Sequence, residues 1–231
     1  MAMRSRTKFG MTPFTPMIIT YYGENSFKIQ SGEFTLLTDP VDASSGLTPP
    51  RFKYDILLKT LVAFPPVETP ADQGSAASPG QNISIYGPGE YNIGDATIFG
   101  YLSEQETTDK MLKTVYIATV EDIKLCFLGH LADIPSPAIM ERLEDIDILF
   151  IPGGGAPYID QKKVAKLVKQ IQPKIVIPTA FKVPGLKRQS ADLTQFLEEL
   201  DQKDAEPQEK LTLKKKDLIA VKPTRVMILT P

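Results

Sequence analysis

Two runs, Ile146–Ile151 and Lys174–Pro178, are apolar at nearly every position, and a strongly amphipathic segment lies between them. A strand without a polar face needs cover on both sides, so both runs read as central strands of a sheet. The intervening Gln161–Gln170 follows Asp160 as N-cap. Its stripe of Val164, Leu167, Val168 and Ile171 at i, i+3, i+4 and i+7 predicts a helix that buries one face on that sheet. Ser136 before Pro137 opens a second predicted helix, Pro137–Leu143, and Ser190 opens a third through Leu193, Phe196, Leu197 and Leu200. The first half is different in kind. Short β-branched or aromatic segments at Met17–Tyr22, Ser26–Gln30, Phe34–Thr38, Asp55–Lys59, Ile83–Tyr86, Thr97–Tyr101, Thr114–Thr119 and Ile123–Leu128 predict closely spaced strands. After a charged linker, Asp201–Lys210, strands are expected at Leu211–Leu213, Leu218–Val221 and Arg225–Leu229, with Lys214–Lys216 as a solvated turn. A β-rich half followed by an α/β half suits two sheets packed as a sandwich with helices outside.

The chain has 231 residues, enough to bury a sizeable core, and its 42% apolar and 23% charged content is that of a soluble globular protein. Residues 1–16 carry Arg4, Arg6 and Lys8 with no apolar stretch after them, so they read as a flexible leader, and 17–231 as a single domain. The Pro-, Ala- and Ser-rich stretch from Pro65 to Gln81 reads as an exposed loop. A net charge of −2 gives no global attraction for nucleic acid or anionic membrane, and no run approaches a membrane span, so neither partner is expected and the location is expected to be cytoplasmic. The one cysteine, Cys126, lies in an apolar run and is expected in the core.

A series of segments, in order, resembles the small Zn-dependent hydrolase branch of the metallo-β-lactamase superfamily. Tyr22-Gly23-Glu24-Asn25-Ser26-Phe27 and then Leu37-Thr38-Asp39-Pro40 correspond to the family's Gly-His-x-Ser-Phe and Asp-Pro. Asp55-Ile-Leu-Leu-Lys-Thr60 is similar to the strand that precedes the family's His-x-His-x-Asp-His, but here Leu61-Val62-Ala63-Phe64-Pro65-Pro66 follows. Tyr86-Gly-Pro-Gly-Glu-Tyr91 resembles a turn of this branch, and Leu128-Gly129-His130-Leu131 its Leu-Gly-Asp-Leu. Asp147-Ile-Leu-Phe-Ile-Pro-Gly-Gly154 and Pro173-Lys-Ile-Val-Ile-Pro178-Thr-Ala-Phe181 resemble the last two family strands, which puts Ala180 where a histidine is expected. The resemblance implies a four-layer αββα sandwich of two mixed sheets.

It also implies a zinc site that this chain has lost. A binuclear zinc centre in such a fold takes about five imidazoles and one or two carboxylates. The chain holds one histidine, so no shift of register supplies the missing ligands. The former ligand positions read Glu24, Leu61, Ala63, Pro65, Pro66, His130 and Ala180. Consecutive prolines also bar the helical turn that would present such ligands. No zinc or other cofactor is therefore expected.

Glu24, Asp39, Glu90, His130 and Asp133 are the groups from which a harder cation site or a remodelled acid–base site could be assembled. Read blandly, Glu24 is a solvated strand-end charge, Asp39 a turn-former before Pro40, and Glu90 a loop acid. No Gly-x-Ser-x-Gly elbow accompanies the histidine, and Gly153–Gly155 lacks the lysine of a phosphate loop. Two functions stay open at this point: a non-catalytic binding or assembly protein, self-associating or paired with an active paralogue and holding an unspecified small ligand, or a hydrolase remodelled around His130, Glu24 and Asp39.

Overall fold

A computed structural model describes residues 15–65, 82–94 and 96–231. The strands of the first half are β1 (Met17–Gly23), β2 (Ser26–Ser31), β3 (Phe34–Thr38), β4 (Ile56–Leu58), β5 (Leu61–Ala63), β6 (Ile83–Ile85), β7 (Gly89–Ile93), β8 (Ala96–Leu102), β9 (Met111–Val120) and β10 (Ile123–Phe127). There follow helix α1 (Pro137–Met140), β11 (Ile148–Pro152), α2 (Gln161–Ile171), β12 (Ile175–Thr179), α3 (Thr194–Glu199), β13 (Pro207–Gln208), β14 (Lys210–Leu213), α4 (Lys215–Ile219), β15 (Arg225–Val226) and β16 (Ile228–Leu229).

Two mixed sheets face each other. One runs β14-β1-β2-β3-β4-β6; the other runs β15-β12-β11-β10-β9-β8-β7, with β5 joined to β9. Alternation along β1 turns Met17, Ile19 and Tyr21 inward, as a strand with one covered face requires. β11 and β12 are parallel and buried at every position, as their apolar sequences predict. Between them, α2 buries Val164, Leu167, Val168 and Ile171, and the Asp160 carboxylate accepts the Lys162 N–H at 2.9 Å, so the expected cap is made. Phe27 of β2 meets Phe150 of β11 edge to face at 4.8 Å, and Phe150 stacks on Phe127 of β10 at 4.5 Å. Such ring pairs add about 0.5–1.5 kcal/mol each beyond their buried area, and this one bridges the two sheets. Cys126 is buried in that core, as expected.

Several expectations are corrected. Leu218–Val221 is no strand: α4 runs into it as far as Ile219, because the Asp217 carboxylate accepts the Lys214 N–H at 2.8 Å and closes a helical first turn where the lysine run predicts a solvated turn. The third helix starts at Thr194 rather than just after Ser190, with the Asp192 carboxylate taking the Thr194 N–H at 2.9 Å. Arg225–Leu229 divides into β15 and β16, which pair with different partners. Leu61–Ala63 and Gly89–Ile93, for which no strand was expected, are strands that add to β9 and β8, so Glu90 lies on a strand and not in a loop. The proposed leader and the Pro65–Gln81 loop lie, apart from residues 15, 16 and 65, outside the described residues.

Candidate functional site

The ends of β1, β3, β4 and β12 and the turn after β10 meet around a cleft of about 280 Å³, lined among others by Glu24, Asp39, Lys59, His130, Tyr158 and Arg188. Three of the five sequence candidates therefore gather at one place. Glu90 is exposed on β7, and Asp133 is exposed and pairs with Lys163 at 2.7 Å, so neither joins the site.

Glu24 is not a solvated strand-end charge. Arg188 donates from Nε to both carboxylate oxygens at 2.9 and 3.0 Å, and from Nη2 to Oε2 at 2.7 Å. The pair is mostly withdrawn from water, with side-chain exposures of 17% for Glu24 and 27% for Arg188. Nη2 also donates to the Ala180 carbonyl at 3.1 Å, while the Ala180 N–H donates to the Glu24 carbonyl at 2.7 Å. The guanidinium lies over the Tyr158 ring, 5.0 Å from its centroid. Beneath, Tyr21 donates its hydroxyl to the Glu24 carbonyl at 3.1 Å and stacks on Phe27 and Phe181, which fixes the floor of the site to the core.

Opposite stands a second network. The Asp39 carboxylate accepts the Thr60 N–H at 2.8 Å and the Thr60 hydroxyl at 2.7 Å, and that same hydroxyl lies 2.7 Å from His130 Nδ1. Gly129 permits this approach: at φ +57°, a Cβ there would overlap the Thr60 side chain. Burial pushes the Asp39 carboxyl up to about 7, against the opposing pull of its Thr60 bonds and Lys59. Burial, then Lys113 and Arg188, push His130 down to about 4, so its ring is neutral at physiological pH.

Three site positions, Glu24, Asp39 and Ala180, hold left-handed backbone at φ 55°, 34° and 53°. Non-glycine residues take that conformation at a cost of about 1–2 kcal/mol, and such outliers concentrate where a fold positions functional groups.

Leu61 lines the cleft beside these groups, whereas Ala63 and Pro65 are exposed and take no part; Pro66 lies outside the described residues. Arg188, Thr60, Tyr158 and Lys59 escaped the sequence reading. Lys59 and Thr60 end the Asp55–Thr60 strand motif, which is their one signal in the sequence, but Arg188 sits 164 residues from its partner and has none.

A zinc site does not fit this donor set. Leu61, Ala63, Pro65 and Ala180 bring no donor atom, both Glu24 oxygens are held by a cation, and His130 has one nitrogen committed to Thr60. Among the described residues, no three His, Cys, Asp or Glu side chains are grouped so as to hold a metal ion.

Residues 18–180 match the family model of a beta-lactamase superfamily domain, well over half of the chain. The chain belongs to the metallo-β-lactamase superfamily. The curated proteins offer no sequence match. Among solved structures, a protein of this superfamily from Thermotoga maritima, described as a Zn-dependent hydrolase, is 25% identical, with 93% of this chain and 98% of that one covered at a TM-score of 0.75. A protein described as a metal-dependent hydrolase from Parabacteroides distasonis (19% identity, 92% of each chain, TM-score 0.57) shares the fold. So does a metallo hydrolase from the archaeon Ignicoccus hospitalis (15% identity, 94% and 96%, TM-score 0.58). This metallo-β-lactamase superfamily member thus keeps the family's sandwich and carries an arginine–glutamate pair in its cleft.

Proposed function

We propose that this superfamily member is a non-catalytic binding protein whose cleft takes a small ligand without a metal ion. The observation that supports this reading is the bidentate Glu24–Arg188 pair: the cleft holds a fixed positive charge already paired with a carboxylate, whereas metal-dependent hydrolysis needs a bound dication with an open position. The competing reading, a hydrolase remodelled around His130, Glu24 and Asp39, draws support from the Asp39–Thr60–His130 chain, which resembles the orientation of a general base. A ring held down to about 4 is a weak base, however, and both Glu24 oxygens are held by Arg188. Assays with ester, lactone and phosphodiester substrates, with and without Zn²⁺ or Mn²⁺, separate the two. Rates equal to buffer in every case are expected; turnover that disappears in His130→Ala overturns the non-catalytic reading.

A further inference from the structure

Resting on the metal-free reading of the cleft, we propose that Asp39 sets, through the Thr60 hydroxyl, which ring nitrogen of His130 carries the proton. The cleft thereby changes from repelling to accepting a small oxyanion.

The geometry leaves two consistent arrangements. The Thr60 hydroxyl has one proton and two close neighbours, Asp39 Oδ2 and His130 Nδ1, each at 2.7 Å. With Asp39 ionised, Thr60 donates to Oδ2, so Nδ1 must donate to Thr60, and Nε2 keeps a bare lone pair. With Asp39 protonated, the carboxyl donates to Thr60, Thr60 donates to Nδ1, and the ring proton resides on Nε2. The two differ by one proton. It arrives at Nε2 from the cleft while the Nδ1 proton passes to Thr60 Oγ1 and the Thr60 proton passes to Asp39 Oδ2. The Thr60 N–H holds Oδ1 at 2.8 Å in both arrangements, which keeps the carboxyl in place. No hydrogen bond among the described residues reaches Nε2, and His130 lines the cleft.

The surrounding charges decide where the added proton rests. Lys113 and Arg188 act on His130, and burial adds to them, so the imidazolium is disfavoured. Around Asp39 stand Lys59 and the Tyr116 and Tyr158 phenols, both kept neutral by burial; Glu24 and Asp42 complete the acidic groups of the cleft, Glu24 already neutralised by Arg188. Burial raises the Asp39 carboxyl to about 7, so the extra proton stays on Asp39 and the ring changes tautomer instead of charge.

This fixes the ligand class. In the protonated arrangement the Nε2–H is added to a cleft lined by Lys59 and by the Glu24-paired Arg188, and Asp39 no longer carries the charge that repels an anion, which suits a carboxylate or phosphate-like oxyanion. In the ionised arrangement a lone pair and a full negative charge on Asp39 oppose the same ligand. Binding and protonation are then reciprocally linked, so an oxyanion must raise the midpoint of the switch.

His130 is the one histidine of the chain, so ¹⁵N NMR of the imidazole in the full-length protein reads the switch without assignment. Spectra between pH 5 and 9 in EDTA are expected to show a neutral ring whose proton moves from Nε2 to Nδ1, with a midpoint near 7. Asp39→Asn, whose amide mimics the protonated carboxyl, holds Nε2–H at every pH. Thr60→Ser keeps the transition and Thr60→Val removes it. Saturating sulfate or acetate, neither of which titrates appreciably in the upper part of this range, raises the midpoint by at least half a unit, and comparing the two separates phosphate-like from carboxylate ligands. A ring proton that stays in one place, or conversion to imidazolium, overturns the switch; a midpoint moved by neither anion overturns the ligand class. The metal-free reading fails separately, if Zn²⁺ added without chelator shifts the ring nitrogens.

Discussion

Arg188 grips Glu24 through both carboxylate oxygens from 164 residues away, and the two side chains close one wall of the cleft. A bidentate guanidinium–carboxylate contact fixes geometry as well as charge. Here it ties the turn after β1 to the loop that leads into α3, with the Ala180 carbonyl as a third anchor.

Removing one member leaves the other charged and half-withdrawn from water. Exposed pairs are worth at most about 1 kcal/mol and breaking a buried pair costs about 3–5 kcal/mol, so Arg188→Ala is expected to lose about 2 kcal/mol, between these limits. Arg188→Ala combined with Glu24→Gln is expected to lose less than the two single changes together. Urea denaturation of the four proteins measures both quantities.

The Asp39 carboxyl gives stability a sign with pH. Its folded value of about 7 lies above its ordinary 3.8, so the folded state holds the proton more tightly, and stability is lost as pH rises through 7. His130, held down at about 4 from 6.5, acts in the opposite sense, with stability lost as pH falls below 6.5. Asp39→Asn keeps the histidine and removes only the first effect. Its Tm is expected to exceed that of the wild type at pH 8.5, with the gap closing toward pH 5.

Gly129 and Gly94 share φ +57°, but a Cβ at Gly94 meets nothing within 4 Å, whereas one at Gly129 would overlap Thr60. Gly94→Ala is therefore expected to cost only backbone strain, about 1 kcal/mol. Gly129→Ala is expected to cost about 1–3 kcal/mol more through overpacking, and to break the Thr60–His130 contact. Thermal unfolding gives the energies, and the His130 ring resonances report the contact.

The unit β11-α2-β12 was legible in the sequence because burial on every side leaves an unbroken apolar run, and one-sided burial leaves a 3.6-residue stripe. The end of the chain was less so. In α4 one side-chain cap, Asp217 to the Lys214 N–H, outweighs a β-like composition, and Ile219 is left 73% exposed. At the site, Glu24, Asp39 and His130 were found because resemblance to a family marked their positions. Their partners were not, since an arginine in a loop and a threonine at a strand end show no periodicity, and what brings them to the cleft is contact across the fold.

The proposed metal-free cleft is tested most directly by calorimetric titration of Zn²⁺ into chelator-treated full-length protein, beside His130→Ala. The donor set predicts no saturable binding that the variant lacks. A stoichiometric site tighter than about 1 μM, roughly −8 kcal/mol, present in the wild type and absent from His130→Ala, would contradict it.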